Sequence, residues 1–500
     1  MRAGVIGAGP GGLVAAKVLI EDGFDVTLYE RADRVGGLWV AGRCYEGLHN
    51  QSVRGLFEFA DLPNDLHMAS AADTYRYLKE YACRYGIPER VRFGTDVVAV
   101  GRHKTSWTVR SRPFGVTDGA SDVDKFDYVV VASGAHHHPH LPELPGRDRF
   151  AGTVLHSHEV TAAKLLGRRV AVVGGGKSAL DISILAARHG ASSTNIQRKV
   201  NWFVPERILG GRVTYDRVLL TRLGAALLPQ YHNPSVVRIV DRVPSALKAV
   251  AWKLIGWDLL RSAGLRGVDR ELLRPRGPLP FDLTHTGVMP NEYVRGVQDG
   301  KIAVNVSAVS GFTANGLRLA NGEQVETDMV VFATGHRIAF PFLDGTLELY
   351  DDQDRPRLYR GIVPPGVPGL GFIGFRQTFN NVLAMEIAAH WLSSYFQCRL
   401  VEMPSPQEME RSTQLRLEWQ ERVLPGSEGY DFGPYDIHCI DELLHDMGLR
   451  QNRERWLLSE YFSPAAVGRR YRNLGAERRD TRPMPSGADT CVPHVIERSA

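Results

Sequence analysis

Cysteine and long apolar runs are scarce in this sequence. The five cysteines are scattered along the chain: Cys44, Cys83, Cys398, Cys439 and Cys491. Because they form no CxxC pair, we expect reduced thiols with neither a disulfide framework nor a structural zinc site. No run of about 18 uncharged apolar residues occurs, which predicts no membrane-spanning helix.

The excess of positive over negative charge is also small. The net charge is +4 over 500 residues, and only ten of the 60 basic residues are lysine. So small an excess does not indicate a nucleic-acid-binding protein. A chain of this length is too long to fold around a single hydrophobic core, so two or more domains are expected. Val5 and Ile6 already belong to a strand, which leaves no room for a signal peptide and predicts a cytoplasmic protein.

The first residues read as a strand, a glycine turn, a helix over Leu13–Glu21 and a second strand over Asp25–Tyr29. The turn carries Gly7, Gly9, Gly11 and Gly12. In such a turn the first glycine permits the tight bend, the second admits a pyrophosphate and the last lets helix and strand pack closely. The helix N-terminus offers free N–H groups to the phosphates. The pattern therefore predicts a dinucleotide site.

An acidic residue and a pair of adjacent glycines indicate which dinucleotide binds at the first turn. Glu30 ends the second strand where a carboxylate binds a ribose 2′-hydroxyl, which favours FAD or NAD. We expect Glu30 and Arg31, which follows it, to contact the cofactor. The stretch Gly36-Gly37-Leu38-Trp39 follows closely. Its glycines let the backbone approach a second part of the same dinucleotide, as FAD requires. We therefore expect Gly37, Leu38 and Trp39 to contact FAD.

A second glycine turn follows the strand Val170–Val173. It comprises Gly174, Gly175, Gly176, Lys177 and Ser178, and Ala179 stands at the last glycine position. The next strand, Ser193–Gln197, ends in Arg198 and Lys199 instead of an acid. Cations at this position suit a 2′-phosphate, so this half is predicted to bind NADPH.

Two apolar strands flank the second motif. FDYVVVAS ends at Ser133 before Gly134, and TDMVVFAT ends at Thr334 before Gly335. We interpret both as strands that return the chain to the FAD domain before and after an inserted NADPH domain. We expect Ser133, Gly134, Thr334 and Gly335 at their ends to contact the cofactors. The predicted fold is α/β, with two Rossmann-like domains and a helical insert. The expected divisions are 1–148 and 320–475 for the FAD domain, 149–319 for the NADPH domain with its insert at 205–285, and a disordered tail at 476–500.

With these motifs the chain resembles the flavin-containing monooxygenases, a group of class B flavoprotein monooxygenases. The resemblance rests on the first glycine turn, on Gly36 to Trp39, on the run Tyr45 to Ser52, and on the stretches Ala333 to His336 and Ala339 to Tyr350. It implies an enzyme in which NADPH reduces FAD and the reduced flavin forms a C4a-hydroperoxyflavin with O₂. It also implies that Asn50 is catalytic, beside the flavin, and that His49 contacts the cofactor.

The reaction type stays open at this point. The family signature is incomplete: Phe150, Gly152 and His156 are present, but Val160 stands where an aromatic residue is expected. We expect oxygenation of a small organic substrate at nitrogen or sulfur. Baeyer–Villiger oxidation of a ketone, and uncoupled NADPH oxidase or flavin reductase activity, are the alternatives.

Two further segments allow more than one interpretation. The run His136-His137-His138-Pro139-His140 lacks helical ligand spacing and predicts a polar loop near the nicotinamide, with no metal site. The insert 205–285 has a net charge of +6 and contains apolar stretches at helical spacing, over Val218–Leu228 and Ala246–Leu260. We expect a helical cover over the active site; a surface that docks on a membrane or an acidic carrier is the alternative. A homodimer is also left open.

Overall fold

The computed structural model describes residues 1–117, 121–229, 244–265, 270–275, 277, 279, 287–424 and 430–481. The strands in chain order are β1 (Arg2–Ile6), β2 (Asp25–Tyr29), β3 (Val91–Arg92), β4 (Thr95–His103), β5 (Ser106–Pro113), β6 (Asp122–Phe126), β7 (Tyr128–Val131), β8 (His138–Pro139), β9 (Thr153–His156), β10 (Arg169–Val173), β11 (Ser192–Gln197), β12 (Phe203–Pro205), β13 (Arg207–Ile208), β14 (Val213–Thr214), β15 (Gly287–Met289), β16 (Ile302–Val306), β17 (Val309–Thr313), β18 (Gly316–Leu319), β19 (Gln324–Glu326), β20 (Met329–Phe332), β21 (His336–Arg337), β22 (Leu370–Phe372), β23 (Gln377–Thr378) and β24 (Asp431–Gly433). The helices are α1 (Pro10–Glu21), α2 (Ala71–Arg84), α3 (Ala162–Leu165), α4 (Lys177–His189), α5 (Asp216–Leu219), α6 (Arg222–Ala226), α7 (Ser245–Ser262), α8 (Arg270–Leu273), α9 (Asn291–Gln298), α10 (Asn381–Phe396), α11 (Pro406–Val423), α12 (Asp436–Asp446), α13 (Leu457–Phe462) and α14 (Leu474–Thr481).

The first glycine turn belongs to a five-stranded parallel sheet. Its strand order is β22-β7-β1-β2-β3, with β1 central. The β1, α1 and β2 elements follow each other as the sequence predicts, and β2 has the predicted bounds. Helix α1 begins three residues earlier than expected, because Pro10 supplies a helical φ and lacks only an N–H that would have no partner there.

The second glycine turn belongs to a second five-stranded parallel sheet. Its strand order is β16-β11-β10-β20-β9, and α4 connects β10 to β11. The two sheets confirm the predicted α/β class with two dinucleotide-binding units. Strand β20 is buried along its whole length, as expected for a parallel strand covered on both faces.

One predicted strand lies in the other sheet. We expected the TDMVVFAT strand to return the chain to the first sheet, which placed a domain boundary at 319/320. Instead β20 pairs with β10 and β9, so the chain leaves the second sheet only after Phe332. The sequence pattern of β20 is the same as that of β7. Which sheet each strand joins therefore depends on its pairing partner, which lies far away in the sequence.

Two linkers join the sheets. The outgoing linker (residues 132–152) leads from β7 to β9, and the return linker (residues 333–338) follows β20. They run side by side, because β8 pairs antiparallel with β21, with His336 opposite Pro139 and Arg337 opposite His138.

The described part of the insert contains α5, α6, α7 and α8, which confirms its helical character there. Arg222 of α6 is buried, donates to Asp441 at 2.6 Å and also pairs with Glu460. These ion pairs fix the insert to α12 and α13.

Two further expectations are corrected at the C-terminus. Residues 476–481 were expected to be disordered but lie in α14, where buried Arg478 pairs with Asp22 after α1. Residues 482–500 lie outside the described residues. Cys44, Cys83 and Cys439 are free thiols, whereas Cys398 is disulfide-bonded, so the expectation of no disulfide is wrong there. None of the helices described is both long enough and apolar enough to cross a bilayer.

Candidate functional site

The first glycine turn is shaped by contacts that a side chain would block. Gly7 has φ +104°, and a Cβ there would lie 2.5 Å from the Ala132 carbonyl oxygen at the end of β7. A Cβ on Gly12 would lie 1.8 Å from the Gly7 carbonyl oxygen. The roles predicted for these glycines, a tight turn and close helix packing, are therefore required by the structure.

Ala8 connects the turn to the predicted acid and to the second glycine pair. Its N–H donates to the Glu30 carboxylate at 2.8 Å, and its carbonyl accepts from the Gly36 N–H at 2.9 Å. Glu30 is 4% exposed and also accepts from the Ala32 N–H at 2.8 Å. A carboxylate has about four acceptor positions, so capacity for a ribose hydroxyl remains.

The double glycine stretch lies directly on the first turn. A Cβ on Gly37 would approach the Cα of Gly9 to 3.0 Å, and one on Gly11 would approach the Ile373 carbonyl oxygen to 3.1 Å. Leu38 and Trp39 follow in a short 3₁₀ helix, and Trp39 packs edge-on against Phe57. Arg31 instead points away to an ion pair with Asp96 at 2.9 Å. Arg31 is thus engaged outside the turn.

The second turn repeats the geometry of the first. A Cβ on Gly174 would lie 2.3 Å from the Ala333 carbonyl oxygen, just as one on Gly7 would meet Ala132. Each turn therefore packs on the carboxyl end of the strand that precedes a linker. Gly176 has open space around its Cβ position, and Ser178 is half-buried in the first turn of α4. Lys177 pairs with Asp181 at 2.5 Å, so its charge is partly neutralised.

The predicted phosphate cations lie at the end of β11. Arg198 and Lys199 are both exposed. The side-chain amide of Asn201, just beyond them, donates to the Gly175 carbonyl at 2.9 Å. The segment that follows β11 is thus held beside the second turn, and both cations lie near it.

The segment from Tyr45 to Ser52 bridges the two units. Tyr45 donates to Asp181 of α4 at 2.8 Å, and Glu46 accepts from the Ala162 N–H at 2.8 Å. Gln51 accepts from the Val288 N–H at 2.7 Å through its side chain. The segment therefore reaches from the first unit to the second glycine turn.

Asn50 is 7% exposed within this segment. Its Oδ1 accepts from the Ser52 N–H at 3.3 Å, the arrangement of an Asx turn. Its Nδ2 donates to Thr74 at 3.4 Å, beyond the usual hydrogen-bond length. Both bonds are weak enough for a ligand to compete with them. His49, beside it, is exposed and its Nδ1 lies 2.7 Å from the Gly47 carbonyl.

The strand ends that precede the linkers carry the other predicted contacts. Ser133 Oγ is buried and has no hydrogen-bond partner among the described residues, as expected for an atom reserved for a ligand. Gly134 and Gly335 both have φ +84°. Thr334 donates to the His140 carbonyl at 2.5 Å. Burial lowers the pKa of His137 to about 4 and that of His336 to about 3, so these imidazoles are neutral.

No sequence pattern predicted that several further residues lie near the site. Tyr45 and Asp181 are 136 positions apart, and Tyr215 of the insert donates to the Gln51 carbonyl at 2.8 Å across 164 positions. Val160, where the signature is incomplete, is fully buried in a cluster that also holds Tyr45 and Leu165. Only tertiary packing between segments far apart in the sequence brings these residues together.

Comparisons with known proteins agree with this geometry. The chain is 27% identical over 537 residues to a probable flavin-containing monooxygenase 1 of Arabidopsis thaliana, covering 96% of this chain and 97% of the relative. Its fold is similar to that of S-allyl-L-cysteine S-oxygenase from Allium sativum, with a TM-score of 0.64, 19% identity and coverage of 97% of this chain and 94% of the other. A crystal structure of OTEMO in complex with FAD and NADP matches with a TM-score of 0.63 and 19% identity, covering 84% of this chain and 89% of that one.

Family membership follows from a family model that spans most of the chain. The model describes flavin-binding monooxygenase-like proteins and matches residues 1–243 and 282–461. Its matched residues include both glycine turns, the bridging segment and both linkers. The chain therefore belongs to the flavin-binding monooxygenase-like family and is a flavin-dependent monooxygenase.

Proposed function

We propose that this protein is an NADPH- and O₂-dependent FAD monooxygenase that oxygenates a small organic substrate at nitrogen or sulfur. The observation that carries the proposal is that the bridging segment, Tyr45 to Ser52, contacts both units. It joins a glycine turn with a buried acid to a glycine turn followed by two cations. One unit would hold FAD, and the other would present NADPH to it.

The first turn supplies what FAD needs. Gly9 and Gly37 leave room for the pyrophosphate, and Glu30 accepts from the ribose. The Ser133 hydroxyl, which makes no hydrogen bond within the described part of the chain, is available at the strand end. When bound, the flavin accepts a hydride and activates O₂. The chain itself binds and orients the cofactor and limits the access of water.

The second turn supplies what NADPH needs. Arg198 and Lys199 offer two cations to a 2′-phosphate, and Gly176 leaves open space at the start of α4. The linker residues Gly134, Thr334 and Gly335 would lie beside the nicotinamide half. The domain division at 148/149 stays part of this proposal.

Asn50 is the proposed catalytic residue. Its amide does not titrate and offers both a donor and an acceptor. The two weak hydrogen bonds it makes in the protein allow its Nδ2 group to turn toward bound flavin. We propose that it donates a hydrogen bond there and so favours oxygen transfer over release of hydrogen peroxide.

An apolar pocket in the insert is the proposed place of the substrate. It is lined among others by Tyr215, Leu219, Trp252, Ile255, Leu259 and Phe379. The Trp252 indole N–H is already bonded to the Leu227 carbonyl at 2.8 Å. None of the described residues that line the pocket carries a charge. The substrate would therefore carry an uncharged, apolar body next to the atom that is oxidised.

The test is a coupled assay on purified protein. FAD content, NADPH consumption, O₂ consumption and product are measured with apolar amines, sulfides and ketones. N-oxide or sulfoxide in proportion to NADPH supports the proposal. Ester from the ketones alone identifies Baeyer–Villiger oxidation, and peroxide without product identifies an uncoupled oxidase. A homodimer, membrane or carrier docking by the insert, and cytoplasmic localisation stay predictions, and size-exclusion chromatography and cell fractionation test them.

A further inference from the structure

Three histidines from distant parts of the sequence meet where the linkers join the second sheet. His156 ends β9, His158 lies in the 3₁₀ turn that follows, and His336 lies in β21 of the return linker. One ring nitrogen of each lies within 4.8 Å of those of the other two. His156 is 1% exposed, and the other two are half-buried.

The two ring nitrogens of His156 have different partners. Nε2 lies 3.0 Å from the Gly335 carbonyl oxygen, which only accepts, so Nε2 carries the proton. Nδ1 is therefore a lone pair, and it faces His158 Nδ1 at 2.9 Å. Imidazoles that bind metals show this arrangement, in which one nitrogen donates to a carbonyl and the other faces the ion.

The turn that carries the first two histidines is itself held in place. Glu159 accepts from the His156 backbone N–H at 2.7 Å and closes a capping box. The ring of His336 packs edge-on against that of His156, with centroids 4.8 Å apart. The rings are thus preorganised by these contacts. In the capping box the His156 side chain accepts from the Glu159 backbone N–H, a contact that an ion bound at Nδ1 would replace.

We propose that His156, His158 and His336 bind a divalent late first-row transition ion, such as Zn²⁺ or Ni²⁺. Neutral imidazole is a preferred ligand of these ions, whereas Mg²⁺ and Ca²⁺ prefer oxygen. Zn–N bonds of about 2.0–2.1 Å place tetrahedral ligand atoms about 3.3 Å apart. The observed separations, from 2.9 Å to at most 4.8 Å, reach this value by rotation of half-buried rings. Solvent fills the remaining position.

The ion would tie the return linker to the end of β9. His156 bonds the carbonyl of Gly335, and Gly335 follows the strand on which the second glycine turn packs. Binding would therefore restrain the connection between the two units. This site is distinct from both glycine turns and requires no bound FAD or NADPH, so it stands independently of the proposed function.

The experiment is a metal titration of the full-length, FAD-loaded protein after treatment with a chelator. Zn²⁺ is titrated against a competing chromophoric chelator, and Co²⁺ is titrated with visible absorption as the readout. We expect one strong site per chain, a d–d band of nitrogen-ligated Co²⁺ and a raised Tm in Zn²⁺. His158→Gln and His336→Gln should each weaken Zn²⁺ binding at least about tenfold.

His103→Gln is the matched control, because His103 is an exposed histidine at the end of β4. This variant should bind Zn²⁺ like the wild type. Circular dichroism and FAD content establish that each variant is folded. Absence of a strong site in the wild type would overturn the proposal, as would unchanged affinity in the double variant His158→Gln/His336→Gln. His158 would then only donate to His156, with the ring of His336 packed against His156.

Discussion

The phenol of Tyr215 donates to the backbone carbonyl of Gln51 at 2.8 Å. This bond connects the insert to the residue next to Asn50. Because the Tyr215 ring also lines the apolar pocket, the bond places the pocket wall beside the proposed catalytic segment.

Tyr215→Phe keeps the ring and removes the donor. A buried hydrogen bond contributes about 1 kcal/mol, so the free energy of unfolding should fall by about that amount. We expect an unchanged FAD content and a severalfold higher KM for substrate. Denaturant unfolding and steady-state kinetics measure both. Tyr461→Phe is the control, because Tyr461 lies in α13 and is not among the described residues that line the pocket. Equal KM values for the two variants would show that the Tyr215 hydrogen bond does not position the pocket.

Gly9→Leu should abolish FAD binding. A Cβ at Gly9 has 3.5 Å to the Cα of Gly37, so alanine fits, but a larger side chain enters the space between the two glycine stretches. The FAD-to-protein ratio is read from absorbance. Gly176→Leu is the reciprocal control: it should keep FAD and raise the KM for NADPH. Undiminished flavin in Gly9→Leu would remove the first turn as the FAD site.

Arg198→Ala should weaken NADPH far more than NADH. A hydrogen bond to a charged group contributes roughly 1.5–3 kcal/mol, which corresponds to about tenfold or more in affinity. Stopped-flow flavin reduction with each nucleotide gives the ratio. Arg168→Ala, an exposed arginine on the same unit, should leave the ratio unchanged. If both nucleotides weaken equally in Arg198→Ala, the phosphate binds elsewhere.

Asn50→Ala should separate flavin reduction from oxygenation. Reduction by NADPH needs only cofactor stacking and should keep a near-normal rate. Product per NADPH should fall and hydrogen peroxide rise, because one hydrogen bond at a reacting group is worth roughly 2.7–4 kcal/mol. Parallel assays of NADPH, product and peroxide measure the effect.

Asn50→Asp tests whether Asn50 is only a turn residue. Aspartate keeps an acceptor for the Ser52 N–H but lacks the amide donor. We expect it to lose product yield as alanine does. If aspartate restores the yield, the Asx turn is the whole role of Asn50 and the proposed catalytic function is wrong.

Arg222→Ala should be strongly destabilising. It leaves Asp441 and Glu460 buried without their cation, which costs about 3–5 kcal/mol. Arg92→Ala, which breaks the more exposed pair with Asp124, should cost less than about 1 kcal/mol. Urea denaturation compares them. Similar losses would mean that the Arg222 ion pairs do not hold the insert on α12 and α13.

The sequence by itself determined both glycine turns, the class of fold and the strand bounds of β2. These features depend on backbone geometry within about 30 residues, such as the space that Gly12 leaves for the Gly7 carbonyl. The tertiary structure alone decided which sheet contains β20, that Arg478 docks on Asp22, and that His156, His158 and His336 converge. Each depends on contacts between residues far apart in the sequence, which the local sequence pattern does not specify. Strands β7 and β20, for example, have similar sequence patterns but pair in different sheets.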